Sequence, residues 1–358
     1  MKEKLINICT PRQWRTISTS ELKDEGFTVY GANGVIGYYN EYNHEAETVM
    51  VTCRGATCGT VNISKPYSYI NGNAMCMDDL RHDIDVKYLY YALKNYDFKE
   101  VISGSAQPQI TRQGLNNVFV EIVDKPIQLE IVKVLSNVEE TISRKEQQLQ
   151  EYDQLIKSRF VELFGDPESN TKKYPMVNLS DIAQYFNGLT YSPENVSDEG
   201  IIVLRSSNIQ NSKLDFNNLV RVRLNVKESK MVKENDILMC SRNGSAKLVG
   251  KVALIDNLPE RMAFGAFMMI IRSEYYAYLM SYFQMDAFRR QITTGATTTI
   301  NQITSRMLDN VKLPLPEKNE VKKFELLVKQ VDKLKFEVQK SLNETQMLFD
   351  SLMQEYFG

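Results

Sequence analysis

The chain is poor in the residues that usually announce chemistry. Its 358 residues include two histidines, one tryptophan and five cysteines. His44 and His82 alone leave little for imidazole acid–base or triad catalysis. Cys9, Cys53, Cys58, Cys76 and Cys240 are sparse and odd in number, which suits a reducing compartment rather than a disulfide framework. Long apolar runs are also missing. The strongest, Phe264 to Ile271, is cut by Arg272, Ser273 and Glu274, far short of the ~20 residues a membrane helix needs. Met1-Lys2-Glu3-Lys4 leads into no apolar stretch, so no signal peptide is read there. A cytoplasmic protein with no membrane partner is expected. Net charge is nearly absent as well: 43 Lys+Arg against 45 Asp+Glu give −2, which makes the chain a poor candidate for strong, unaided electrostatic binding to DNA. Residues 172–315 alone are clearly basic, with 18 Lys+Arg against 13 Asp+Glu.

What is present is a repeat. Glu162-Leu163-Phe164-Gly165 returns 193 positions later as the terminal Glu355-Tyr356-Phe357-Gly358. At the same offset Leu155 meets Leu348, Leu149 meets Leu342, Val138 meets Val331, and Ile110-Thr111 meets Ile303-Thr304. Leu115-Asn116-Asn117-Val118 likewise meets Leu308-Asp309-Asn310-Val311. Further upstream the match persists with a small shift: Tyr88-Leu89, Phe98 and Ile102 echo Tyr278-Leu279, Phe288 and Ile292. The segment Thr48 to Gly55 resembles Asp236 to Gly244. The length favours two or three domains, and the register makes the chain two copies of one unit, a globular part followed by a charged tail.

The tails read as helices. Leu135, Ile142, Leu149, Ile156 and Leu163 recur every seven residues, with Ile131, Val138 and Tyr152 on the adjoining row and Lys145 and Arg159 interrupting it. In the second copy Phe324, Val331, Val338 and Leu352 hold one row; Leu327, Leu334 and Leu348 hold the other. A sustained seven-residue spacing with charges elsewhere is the coiled-coil pattern. Pro126 and Pro314/Pro316 mark entry, and Gly165 terminates the first helix. Such a helix of ~35 residues is ~50 Å long, a spacer rather than a core element. Each exposes an apolar stripe, so each needs a partner, most simply the other.

The globular parts read as mixed α/β with a strand bias. Thr48–Thr52 and Ile237–Cys240 look like buried strands; Tyr88–Leu93 and Tyr275–Phe283 look like short helices beneath them. Asn-Gly at 33–34, 71–72, 187–188 and 243–244 is a hairpin signal. Pro167 to Thr171 is a linker. The glycines from Gly31 to Gly37 lack the order and the following Lys-Ser/Thr of a phosphate loop, so they read as a tight hairpin. Cys53, Cys58, Cys76 and His82 have the wrong spacing for structural zinc, and no metal is expected. Glu21 and Lys23 form a Glu-x-Lys pair common on surface helices, and no Asn-Pro-Pro-Tyr/Phe loop of amino-methyltransferases occurs. No catalytic residue is assigned.

Polar, planar and basic side chains recur at matching places. Arg54 and Arg242 each follow a strand and precede a glycine, with Asn243 and Lys247 after the latter. Gln107, Gln109, Arg112 and Gln113 precede the first long helix; Thr298, Asn301 and Gln302 precede the second. Arg205, Ser207 and Asn208 add a further cluster. Arg, Gln and Asn make bidentate contacts with guanine and adenine edges, and Ser/Thr bond phosphates or bases. Singly, each is more often a solvated loop residue. Their paired placement makes them candidate DNA contacts.

Together these features resemble the DNA-specificity subunit of type I restriction–modification systems. The residues that carry the likeness are Leu308 to Pro316 opening the second helix, the weaker Leu115 to Val120, and the two Leu/Tyr-Phe-Gly endings. In the first copy Glu121, Ile122 and Val123 stand where the second has Pro314, Leu315 and Pro316. The resemblance implies an α+β architecture. A first target-recognition domain spans 1–125 and a first long helix 126–165; a second domain spans 166–315 and a second helix 316–358. The helices pair as an antiparallel coiled coil through Ile131, Leu135, Val138, Ile142, Leu149 and Ile156 of one and Val331, Leu334, Val338, Leu348 and Leu352 of the other. It further implies a non-catalytic subunit that reads double-stranded DNA as two half-sites with a fixed spacer. It would recruit two modification (methyltransferase) subunits and the ATP-driven restriction subunits. The chain itself would hold no cofactor; S-adenosylmethionine, Mg2+ and ATP belong to the partners. The alternatives are a coiled-coil scaffold without DNA specificity and a divergent DNA methyltransferase or nuclease. Replacing residues 172–315 with another recognition domain should change one half-site of the methylated motif and leave the other intact. A change in both halves on methylome sequencing overturns the modular reading.

Overall fold

In the computed structural model, all residues are described except 33, 105–106, 257 and 294–301. The chain forms two compact units, Met1–Gln147 with Val338–Gly358, and Gln148–Glu337.

The first unit is built on a four-stranded antiparallel sheet: β1 (Thr10–Arg12), β2 (Val49–Thr52), β3 (Val61–Ile63) and β4 (Ala74–Asp78), in the order β1-β4-β2-β3. Cys76 is the register residue, opposite Arg12 on one side and Met50 on the other. β2 and β4 are buried along their whole length, so they read as continuous apolar runs rather than alternating ones. Alternation instead divides them between two layers. Val49, Val51, Met75 and Met77 pack with Leu89 and Leu93 of the helix Val86–Asn95. Met50, Ala74 and Cys76 pack with Tyr30 and Ile70 on the opposite face. Those two lie on the strands Phe27–Gly31 and Tyr69–Ile70, which pair in parallel. The helix starts where Asp85 accepts from the Lys87 and Tyr88 amides (2.9 and 3.2 Å), capping its orphan donors.

The second unit repeats this plan. Its sheet is β5 (Gln184–Asn187), β6 (Ile237–Cys240), β7 (Val252–Leu254) and β8 (Met268–Arg272), in the order β5-β8-β6-β7. Ile237, Met239, Met269 and Ile271 face Tyr278, Leu279 and Phe283, around the helix Tyr276–Tyr282. Leu238, Cys240, Met268 and Ile270 face Ile202, Leu204 and Phe264. Again the second layer carries a parallel pair, Ile201–Leu204 with Met262–Phe264.

Two helices of 40 residues, Lys125–Phe164 and Lys318–Phe357, are each divided between the units. In the first unit Ile131 and Leu135 pack with Phe349 and Met353, and with Tyr88 and Tyr91 of the short helix. In the second unit Phe160, Phe164, Phe324 and Tyr278 form one aromatic cluster, with ring centroids 5.0–5.7 Å apart. Gly165, at φ 76°, ends the first helix in the left-handed conformation that glycine adopts without strain.

Several expectations need correcting. Leu334 and Leu348, read as seam positions, are 49% and 51% exposed. The buried and half-buried row of that helix is Val321, Val328, Lys335, Leu342, Phe349 and Tyr356, alongside Phe324, Val331, Val338, Thr345 and Leu352. The seven-residue count is right, but the leucine row is rotated off the contact by one position. Lys145 does not interrupt the first helix's seam. It is half-buried there, its ammonium donating to Ser341 O, Ser341 Oγ and Thr345 Oγ1 at 2.6–3.1 Å, which satisfies the charge without a carboxylate. Asn71-Gly72 and Asn187-Gly188 are not hairpin turns, because the strands flanking each pair with other strands. Their glycines serve close approach instead: a Cβ at Gly72 would meet Trp14 O, and one at Gly188 would meet Gly265 O.

The seam assignment can be weighed by substitution. Met353→Ala removes a side chain only 6% exposed and should cost about 2–5 kcal/mol. Leu348→Ala should stay within about 0.5 kcal/mol. Denaturant unfolding of the full chain measures both; equal costs would place Leu348 in the contact after all.

Candidate nucleic-acid interface

The first four-stranded sheet carries Arg54 just beyond the C-terminal end of β2, where the chain leaves the core. Cys53 is buried; Arg54 is exposed. The segment Gln109–Ile110 returns antiparallel to this point, with the Ile110 amide donating to Cys53 O (3.0 Å) and the Gly55 amide to Pro108 O (3.1 Å). Those two bonds flank Arg54 and Gln109, which face each other as a bridge. Such a non-hydrogen-bonded pair has its Cα atoms about 4.5 Å apart and its side chains close together. Both side chains are exposed.

The second unit repeats the construction. Arg242 lies beyond β6 after buried Cys240 and Ser241, and bridges to Gln302. The Ile303 amide donates to Ser241 O (2.7 Å). Ile110 and Ile303 are both buried anchors. Thr111 and Thr304 then cap the short helices Arg112–Leu115 and Ser305–Asp309 by accepting from the Gly114 and Met307 amides. The reason the two edges match is written in the chain: Gln-Ile-Thr occurs at 109–111 and at 302–304, each residue with one job. Gln faces the arginine, Ile enters the core, and Thr starts the helix.

Other candidates divide. Gln107, Arg112 and Gln113 are exposed, on the same segment as Gln109. Lys247 and Ser207 are exposed too. Asn243 is half-buried and organises its own loop, its Oδ1 accepting from the Ser245 amide (2.9 Å) and its Nδ2 donating to Ser206 Oγ (3.3 Å). Arg205 is half-buried with Nη2 on Asn218 O (3.2 Å). Thr298 and Asn301 lie outside the described residues. Asn208 must be withdrawn as a DNA contact: it is fully buried, accepting from the Arg205 amide (3.0 Å) and donating to Asp215 O (2.9 Å) and Asn217 O (3.4 Å). Its amide supplies both ends of a loop with partners that backbone alone lacks. The sequence could not show this, because a loop asparagine reads the same whether it faces inward or outward.

Phe267 is a residue that sequence reasoning missed. It stands beside Arg242, whose guanidinium carbon lies 5.6 Å over the ring centroid, and the ring is 58% exposed.

The cysteines are not poised for chemistry. Burial pushes the Cys9 thiol up to about 12 and raises Cys53, Cys58, Cys76 and Cys240, so all five stay protonated. Among the described residues one group of three possible metal ligands occurs, His44, Cys76 and Asp78. Its carboxylate is already engaged: Asp78 accepts from Trp14 Nε1 and bonds His44 Nε2, both at 3.0 Å. It lies at the far end of β4 from the residue that faces Thr52, away from Arg54.

Asn208→Ala should lower the stability of the chain by about 1–3 kcal/mol, the cost of buried groups left unpaired, with no change in any base preference. Thermal unfolding together with methylome sequencing separates these; an altered base at constant stability would restore Asn208 as a contact.

Comparison with known proteins agrees with this duplicated plan. Residues 2–152 and 171–345 match the model of the type I restriction modification DNA specificity domain. The EcoKI specificity subunit of Escherichia coli and the StySPI specificity subunit of Salmonella potsdam are each 32% identical over 170 residues, covering 44% of this chain and 36% of theirs. The matched stretch thus spans about a third of those relatives. The type I restriction–modification S subunit of M. genitalium superposes with a TM-score of 0.64 at 16% identity, covering 100% of this chain and 96% of that one. A chain from a structure of type I R-M complex assembly and conformational transition gives 0.55 at 14% identity, covering 100% and 97%. No helix among the described residues is long and apolar enough to cross a membrane. With both halves matched by the same domain model, the chain belongs to the family of type I restriction–modification specificity subunits.

Proposed function

We propose that this chain reads a bipartite DNA target, one half-site per unit, and directs the methylation and cleavage carried out by partner subunits. The observation that carries the reading is the duplicated Arg–Gln edge, Arg54 with Gln109 and Arg242 with Gln302, presented beyond the end of the central strand in both units. An arginine forks onto guanine O6 and N7, and a glutamine onto adenine N6 and N7, both in the major groove. Side chains this close suit neighbouring bases. Gln107, Arg112, Gln113, Ser207, Lys247 and, from the sequence, Thr298 and Asn301 supply further base or phosphate contacts around these pairs.

The long helices act as an antiparallel coiled coil that keeps the spacer between half-sites constant in length and free in sequence. They also dock two modification subunits, which methylate adenine using S-adenosylmethionine; restriction subunits bring ATP and Mg2+ chemistry. The chain then needs no cofactor of its own. Its near-neutral charge fits the same picture, since partners supply much of the phosphate neutralisation.

Arg242→Ala should relax one base pair of one half-site, and Arg54→Ala one base pair of the other, each losing about 1–3 kcal/mol of discrimination at that position. Methylome sequencing of a host expressing each variant with its modification subunit reads both. If either variant alters both half-sites, or neither, the edge is not the reader.

A further inference from the structure

Phe267 sits in a turn closed by the Met268 amide on Gly265 O (2.8 Å), between the strand Met262–Phe264 and β8. Its carbonyl is held three ways, accepting from the Ser241 amide (2.9 Å), the Arg242 amide (3.1 Å) and Ser241 Oγ (3.0 Å). The backbone beneath the ring is therefore fixed to the same short segment that presents Arg242. A single exposed phenylalanine is unremarkable on any surface. This one differs because it is anchored at the Arg242–Gln302 edge and because its neighbour lies on its face.

Among the described residues, the first unit has no ring at the equivalent place. By strand register, β4 begins at Ala74 and β8 at Met268, so the residue facing the equivalent position is Asn73. Its carbonyl accepts from the Cys53 amide (3.0 Å) as that of Phe267 does from Ser241. The half-buried amide of Asn73 thus stands where the second unit exposes an apolar side chain.

Resting on the DNA-reading function proposed above, we infer that Phe267 is a specificity-determining residue of the second unit, making van der Waals contact with the 5-methyl group of a thymine in the major groove. Two apolar modes are open to an exposed phenylalanine on DNA: contact with a thymine methyl, and insertion between base steps as a wedge. Insertion needs both ring faces for bases. Here the Arg242 guanidinium lies over one face, so the ring's edge and its other face are what remain for a groove. The half-site read by the second unit should then hold an A·T pair next to the base that Arg242 contacts. The half-site read by the first unit has no equivalent apolar determinant at Asn73.

The test uses the full chain with its modification subunit. Methylome sequencing of Phe267→Ala and Phe267→Leu should show one A·T position of one half-site relaxed in the alanine variant, with the other half-site and the spacer unchanged. The leucine variant should retain most of the preference. Duplexes carrying uracil in place of the thymine at that position remove the methyl alone. The wild-type complex should bind them about fourfold more weakly, the worth of one buried methyl-sized group, and Phe267→Ala should bind both duplexes equally. The uracil experiment on wild-type protein requires no variant to fold. A wild-type complex that writes no bipartite motif overturns the underlying reading and this assignment with it. A normal wild-type motif that Phe267→Ala leaves untouched overturns the assignment alone. So does general weakening with no base preference altered and no uracil effect, the result a wedge or an assembly contact gives.

Discussion

Each long helix ends on a phenylalanine that lies against a tyrosine, and the pairing is crossed between repeats. Phe357, the end of the second repeat, packs on Tyr88 of the first at 5.3 Å; Phe164, the end of the first, packs on Tyr278 of the second at 5.1 Å. The same tyrosines tie down the approach to each helix, donating to Glu121 O (2.8 Å) and Pro314 O (2.7 Å), positions that correspond across the repeat. Asn95 adds a bond to Phe357 O (3.1 Å). Burial of Tyr278 raises its phenol well above the usual range, so it remains a donor. Neither globular part can complete its helical layer from its own repeat. Two copies in one chain close both.

This constraint explains why the sheets can be small. Four short strands would leave a marginal sheet exposed on both faces. Here one face is covered by a helix and its tyrosines, and the other by a second layer containing a parallel pair. With β2 and β6 buried throughout, the chain must emerge at their ends, and it emerges at Arg54 and Arg242. A long polar side chain can be offered to a groove from that place without disturbing the core. The rigid strand behind it limits how far it wanders.

The long helices illustrate how far counting goes. A period of seven identifies apolar rows, yet which two rows meet a partner depends on rotation about the helix axis. Leu334 and Leu348 look better suited to a seam than Lys335 and Thr345. Burial selects the latter because Phe324, Phe349 and Met353 fix the rotation through their own contacts. The exposed leucines that result are flanking positions, open to solvent in the structure. The asparagine–glycine pairs show the same limit. Asn-Gly marks a tight place, but Gly72 and Gly188 are small because backbone passes close by, not because a strand reverses.

The sequence alone determined the duplication, the two helical tails, the buried strands and the arginine that follows each, because these follow from periodicity, apolar runs and a constant offset. It also carried the twin Gln-Ile-Thr segments, whose meaning is invisible until partners are known. Only the tertiary structure decided that Gln109 faces Arg54 and Gln302 faces Arg242, since these pairs are separated by dozens of residues and joined by backbone bonds to Cys53 and Ser241. It alone turned Asn208 inward and set Phe267 beside Arg242. The physical reason is that a sequence records which groups can bond or bury, while the direction a loop side chain faces is set by whatever the rest of the fold brings against it.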